Sequence, residues 1–189
     1  MSPVMLWERM RDFLSIMLTP LGTPGARRRV IARAMGFPLD PIVDRFRQEQ
    51  GLAKADAQAL ARELRRYLAI CAICSHQRVP MEGPVDDLWG LFMAHQDRYD
   101  DFCSLVAGTL IFRDIEKKVR SRRRRLADAR RFARLYRRIF GEPAPEAYWP
   151  GVALLNHYRR GGNMNDIDFD KHVPASRGHV DHAAASSGG

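Results

Sequence analysis

From Lys54 to about Ser75 the apolar residues Leu60, Leu64, Tyr67, Leu68, Cys71 and Cys74 recur at intervals of three and four. That is the spacing of one face of an α-helix. Ile70 and Ile73 widen the stripe until the segment is apolar almost all round, and such a helix must be enclosed by other elements. No stretch alternates apolar and polar residues as a half-buried strand would, so the enclosing elements are expected to be helices too. The chain should therefore be all-α, a compact bundle of six or seven helices with this one in the middle.

The flanking sequence divides at glycine and proline. Residues 3–18 carry Trp7, Met10, Phe13, Leu14 and Met17 on one side, an amphipathic first helix, and TPLGTPG at 19–25 breaks it. A short basic helix from Ala26 to Met35 stops at Gly36, with Pro38 beyond. Asp40 and Pro41 read as cap and first turn of a helix reaching Gly51. After the loop at 76–84, Asp86 or Asp87 can cap a helix that buries Leu88, Trp89, Phe92 and Met93. A turn falls near Asp97. Tyr99, Phe102, Cys103, Val106 and Leu110 continue at helical spacing, and a long charged helix is expected from about Asp114 to Phe140, ended by Gly141 and Pro143. A last short helix fits 152–158. From Gly161 the pattern dissolves into small and polar residues, the composition of a disordered tail. The expected organisation is an N-terminal helix and linker at 1–25, a helical domain at 26–158 with its core in the helices at 54–75, 86–112 and 114–140, and a tail at 161–189. With 46% hydrophobic residues in 189, one domain of ordinary size can bury a core.

Charge is concentrated. Residues 114–138 hold twelve Lys and Arg against Asp114, Glu116 and Asp128, a surplus equal to the net +9 of the whole chain. On a helix Arg120, Arg124, Arg131, Arg134 and Arg138 fall on one flank of the apolar stripe, a row of guanidiniums about 5 to 6 Å apart. Such a row could follow a phosphate backbone or an acidic protein surface. The bland alternative is a solvated face paired with acids such as Asp97, Asp100 and Asp101.

Three cysteines, an odd number, with no secretory leader in view, fit a reducing cytoplasm. Charges at Glu8, Arg9, Arg11 and Asp12 interrupt the first helix well short of a membrane span, so no transmembrane segment is expected. Cys71 and Cys74 share a helix face and, with His76 or Cys103, could form a metal site. A lone C-x-x-C within a helix is better read as buried free thiols, and no cofactor is expected. His95 reads as a partly exposed helix residue. No phosphate-binding loop, dinucleotide fingerprint, serine elbow or H-E-x-x-H occurs, which leaves an enzyme without a nucleophile.

The run VDDLWGLFMAHQDRYDDFC at 85–103, with Gly108 after it and LYRRIFGEPAPEAYWP further on, resembles the glycine-rich domain-containing protein-like family over about residues 55–150. Val85, Asp86, Trp89, Tyr99, Cys103 and Gly108 carry the resemblance. Where that family has histidines, this chain has Gly90, Phe92, Phe112 and Arg113, so the resemblance implies a scaffold whose imidazole site is lost. The expected function is a non-catalytic binding or adaptor protein that offers a basic helix to an acidic partner, with nucleic-acid binding or metal binding as alternatives.

Overall fold

The computed structural model describes residues 23–74, 83–108, 110–112 and 121–162. The expected first helix at 3–18, His76, Arg120 and the tail beyond Gly162 lie outside these residues. Within them the chain is all-helical: α1 (Pro24–Gly36), α2 (Asp40–Gln50), α3 (Lys54–Ile73), α4 (Pro84–Ala94), α5 (Gln96–Phe102) running into a π-helical turn at Cys103–Ala107, α6 (Arg122–Phe140) and α7 (Pro150–Arg159). No strand occurs among the described residues.

The near-continuous apolar surface of α3 has the consequence read from its sequence. Leu60, Leu64, Leu68 and Ile70 are fully buried, and α1, α2, α4, α6 and the π turn all pack against this one helix. Two aromatic clusters fill its flanks. On one side Phe92 stands edge-on to Tyr99 and Phe102, with centroids 5.2 and 5.9 Å away, and tilted against Phe37 at 6.1 Å. On the other Tyr67 touches Trp89, Phe132 and Trp149. A satellite core of Leu126, Ala129, Leu154 and Leu155 fastens α7 to the underside of α6. The crossing is close: a Cβ on Gly151 would stand 3.3 Å from Ala129 Cβ.

Several helix ends differ from the sequence expectation. Neither Asp40 nor Asp86/Asp87 caps by its side chain. The caps are Leu39 and Gly83, and the aspartates sit inside the first turn, where their charge faces the positive end of the helix dipole. Gly83 is required for two reasons: φ is +97°, and a Cβ there would come within 2.8 Å of the Pro150 ring that opens α7. The break between α4 and α5 falls at His95, whose ring nitrogen lies 2.9 Å from the Leu91 carbonyl and whose amide bonds Phe92. His95 is thus partly exposed as expected, but it ends α4 and does not lie within a helix.

The largest departure is at 103–112. The backbone widens into a π turn, reverses at Gly108 with φ +65°, and extends through 110–112. Of residues 110–112 only Ile111 is buried, its carbonyl accepting a hydrogen bond from the Tyr99 hydroxyl. Leu110, expected in the buried stripe, is exposed, as are Leu105 and Phe112. Helical spacing ceases to predict burial once the chain leaves the α-helix. The basic helix α6 begins at Arg122, where Ser121 accepts the Arg124 amide, and residues 114–120 of the expected helix lie outside the described residues.

Candidate functional site

Between residues 123 and 138 every exposed position of α6 is an arginine except Ala127. Arg123, Arg124, Arg130, Arg134, Arg137 and Arg138 share this surface, an arc of about 140° at 100° per residue. No acid of α6 itself lies among them, because Asp128 sits on the half-buried flank. The expected row is thereby redrawn. Arg124, Arg134 and Arg138 belong to the face, Arg120 lies outside the described residues, and Arg131 is half-buried at the edge of the core. Arg130 and Arg137 join it. The reason is that α6 packs on two sides, against α3 and against α7, so its buried arc is wider than a single apolar stripe and swings the outward arc toward Arg130 and Arg137.

What holds α6 in this orientation is a carboxylate that the sequence reading passed over. Glu63, on α3, has no exposed surface, the only charged side chain so buried among the described residues. Its oxygens accept the Tyr136 hydroxyl at 2.8 Å, the Trp149 indole N–H at 2.9 Å and an Arg66 guanidinium N–H at 3.2 Å. The same Arg66 nitrogen donates to the Tyr136 oxygen at 2.6 Å and pairs with the exposed Glu142 at 2.6 Å. Its guanidinium lies over the Tyr136 and Phe140 rings. Arg66 shares α3 with Glu63, but the other two bonds leave it, to Tyr136 on α6 and to Trp149 at the start of α7, so this buried charge is fully satisfied only when those elements are docked together. Burial, with Glu63 beside it, raises the Tyr136 hydroxyl well above the ordinary phenol range, and the phenol remains a donor. In sequence Glu63 is one acid in a charged, helical stretch. The available signal was that it falls among Leu60, Leu64 and Tyr67, on the buried side of a helix.

The network offers binding energy and no evident chemistry. It has no nucleophile, and the carboxylate is closed off from solvent.

The cysteines are free, with Cys74 and Cys103 buried and Cys71 partly so. Burial raises all three thiols, Cys71 to about 12, while the Tyr67 side chain acts in the opposite sense. No group of three His, Cys, Asp or Glu side chains that could hold a metal occurs among the described residues, and His76 lies outside them. Thiols raised in this way are protonated, poor as metal ligands and slow as nucleophiles. The native protein should therefore react slowly with a thiol reagent at about pH 8 and rapidly once unfolded. Because the Cys71 pKa is higher folded than unfolded, its contribution to stability is complete below about 9 and is lost as pH rises toward about 12. Urea midpoints in that alkaline range should fall less steeply for Cys71→Ala than for the parent protein.

Around Cys74, which ends α3, Arg131, Arg138 and Arg27 oppose the effect of burial on the thiol. Arginines of α1 and of α6 therefore approach the same end of the central helix.

A family model for the UCP032817-like proteins matches residues 27–137, from the first turn of α1 to near the end of α6. This chain belongs to the UCP032817-like family. The match takes in the central helix with Glu63 and Arg66, and most of α6 with Tyr136, while Glu142 and Trp149 lie beyond it. No curated protein and no solved structure matches the chain. Membership of the glycine-rich domain-containing protein-like family is overturned by this match. Val85, Trp89, Tyr99 and Cys103 are all buried, so the spacing that carried that resemblance reflects helix packing, which unrelated bundles can share. Phe92 is accordingly a core residue of a UCP032817-like protein and marks no lost histidine.

Proposed function

We propose that this protein is a non-catalytic binding module whose partner presents an acidic surface to the outward face of α6. The supporting observation is the composition of that face: six exposed arginines and one alanine, with no acid, on a helix anchored through a buried carboxylate. Missing imidazoles play no part in this reading, since the family they were inferred from is not this one. Guanidiniums suit carboxylate and phosphate alike, so the face defines a charge class of partner. The reducing cytoplasm belongs to the same reading, as the compartment in which three free cysteines stay free. No helix among the described residues is long and apolar enough to cross a membrane.

The test is retention on an immobilised polyanion such as heparin. Combined Arg130→Glu, Arg134→Glu and Arg137→Glu should bring elution to much lower salt with the circular dichroism unchanged. A control with the same charge change elsewhere, Arg45→Glu, Lys54→Glu and Arg98→Glu at exposed sites, should shift it far less. Equal shifts would show that overall charge, and no particular face, governs binding.

A further inference from the structure

The basic surface of α6 has a second contributor. α1 opens with Arg27, Arg28 and Arg29 in succession, and its first turn contains no acid. Arg28 and Arg29 are exposed. α1 and α6 both pack on α3, and Arg27 acts on the same Cys74 thiol as Arg131 and Arg138. The arginines of α1 therefore lie near those of α6 in space, although about a hundred residues separate them in sequence. Both helices thus bring arginines toward the C-terminal end of α3.

We infer that the partner is a nucleic acid, held by its phosphate backbone without regard to base sequence, across a surface formed by the first turns of α1 and the outward face of α6. This deepens the proposed function and rests on it. The composition of the surface separates nucleic acid from acidic protein. Protein–protein interfaces use arginine beside tryptophan and tyrosine anchors, in a core otherwise depleted of charge, and bare rows of arginine are not their usual pattern. The outward arc of α6 offers only Ala127 as an uncharged group, so no anchor of that kind is present. Binding that relies on guanidiniums alone draws on counterion release, the term that dominates association with a regularly charged phosphate chain. The arc also lacks Asn and Gln, which with Arg read base edges most specifically, and offers no aromatic ring for stacking unpaired bases. A duplex backbone fits that composition. From Arg123 to Arg138 the helix is about 24 Å long at 1.5 Å per residue, the axial length of about seven nucleotides at 3.4 Å each.

The experiment measures binding of the full-length protein to two 20-base-pair duplexes of unrelated sequence and to polyglutamate, over a range of salt concentrations. Expected are equal affinities for the two duplexes, a steep linear fall of log K with log salt, and weaker binding to polyglutamate. Arg28→Ala with Arg29→Ala should reduce the salt slope by about two, and Arg130→Ala with Arg134→Ala by about two more. Preferential binding of polyglutamate, abolished by the α6 pair, would overturn the nucleic-acid inference and leave the acidic-partner reading standing. A slope insensitive to the α1 pair would overturn the two-helix surface. Failure to bind either polymer would overturn both.

Discussion

Replacing Glu63 by alanine is expected to destabilise the fold by about 3–5 kcal/mol, the cost of removing one member of a buried, hydrogen-bonded charge pair. The substitution removes the acceptor of the Tyr136 hydroxyl, the Trp149 indole N–H and one Arg66 N–H. In a domain of this size that loss lowers the melting temperature by about 10 °C or more. Two companion variants separate the sources. Tyr136→Phe removes one donor while Glu63 keeps Trp149 and Arg66, so about 1–3 kcal/mol is expected. Arg66→Ala leaves the buried carboxylate with only the exposed Arg62 guanidinium, 4.0 Å away, as a cation, and should approach the effect of Glu63→Ala. Urea denaturation of the three proteins checks the order. If Glu63→Ala were as stable as the parent, the carboxylate would not be what docks α6 against α3. The consequence for binding follows from the geometry. Because Glu63 reaches Tyr136 on the inner side of α6, loosening the network frees that helix to rotate, and polyanion affinity should fall even though no arginine has been changed.

The second large effect is expected at Phe92. It has no exposed surface and meets the rings of Phe37, Tyr99 and Phe102. Phe92→Ala opens a cavity in a region bounded by three separate elements, α4, α5 and the end of α1. Each is held in part by this ring, so the site collapses poorly and the loss is expected at about 3–5 kcal/mol. Phe92→Leu keeps most of the volume but loses the edge-to-face contacts, for a cost nearer 1–2 kcal/mol. The Phe92→His variant gives a sharper comparison. If this position belonged to an imidazole site, histidine would be accepted. The one hydroxyl of the ring cluster, on Tyr99, already donates to the Ile111 carbonyl, so the histidine nitrogens would be buried without good hydrogen bonds and it should destabilise almost as much as alanine. Thermal melts of the three variants decide between these outcomes.

The central helix was legible because an apolar stripe that wraps most of a helix permits only one environment. Leu60, Leu64, Leu68 and Ile70 are buried for that reason, whatever surrounds them. Gly36 and Gly141 ended their helices where expected, since a glycine with a proline shortly after it is a local signal that needs no partner. Leu110 was misplaced because its assignment required the helix to continue, and the π turn and Gly108 redirect the chain before it arrives. The family resemblance failed on a related point. Tryptophan, tyrosine and cysteine at helical spacing report that a face is buried, and burial alone does not identify a lineage.

What the amino-acid sequence determined by itself was helical periodicity, the central position of residues 54–73 and the accumulation of arginine near 122–138, all properties of residues close together in the chain. Tertiary structure alone decided which arginines face outward, why Glu63 is buried, and that Arg27 of α1 comes to the same end of α3 as Arg131 and Arg138. The physical reason is one of range. Periodicity acts over three or four residues along a helix, whereas the satisfaction of a buried charge and the approach of arginines from two helices to Cys74 depend on partners dozens of residues away. Those partners meet only when the helices pack.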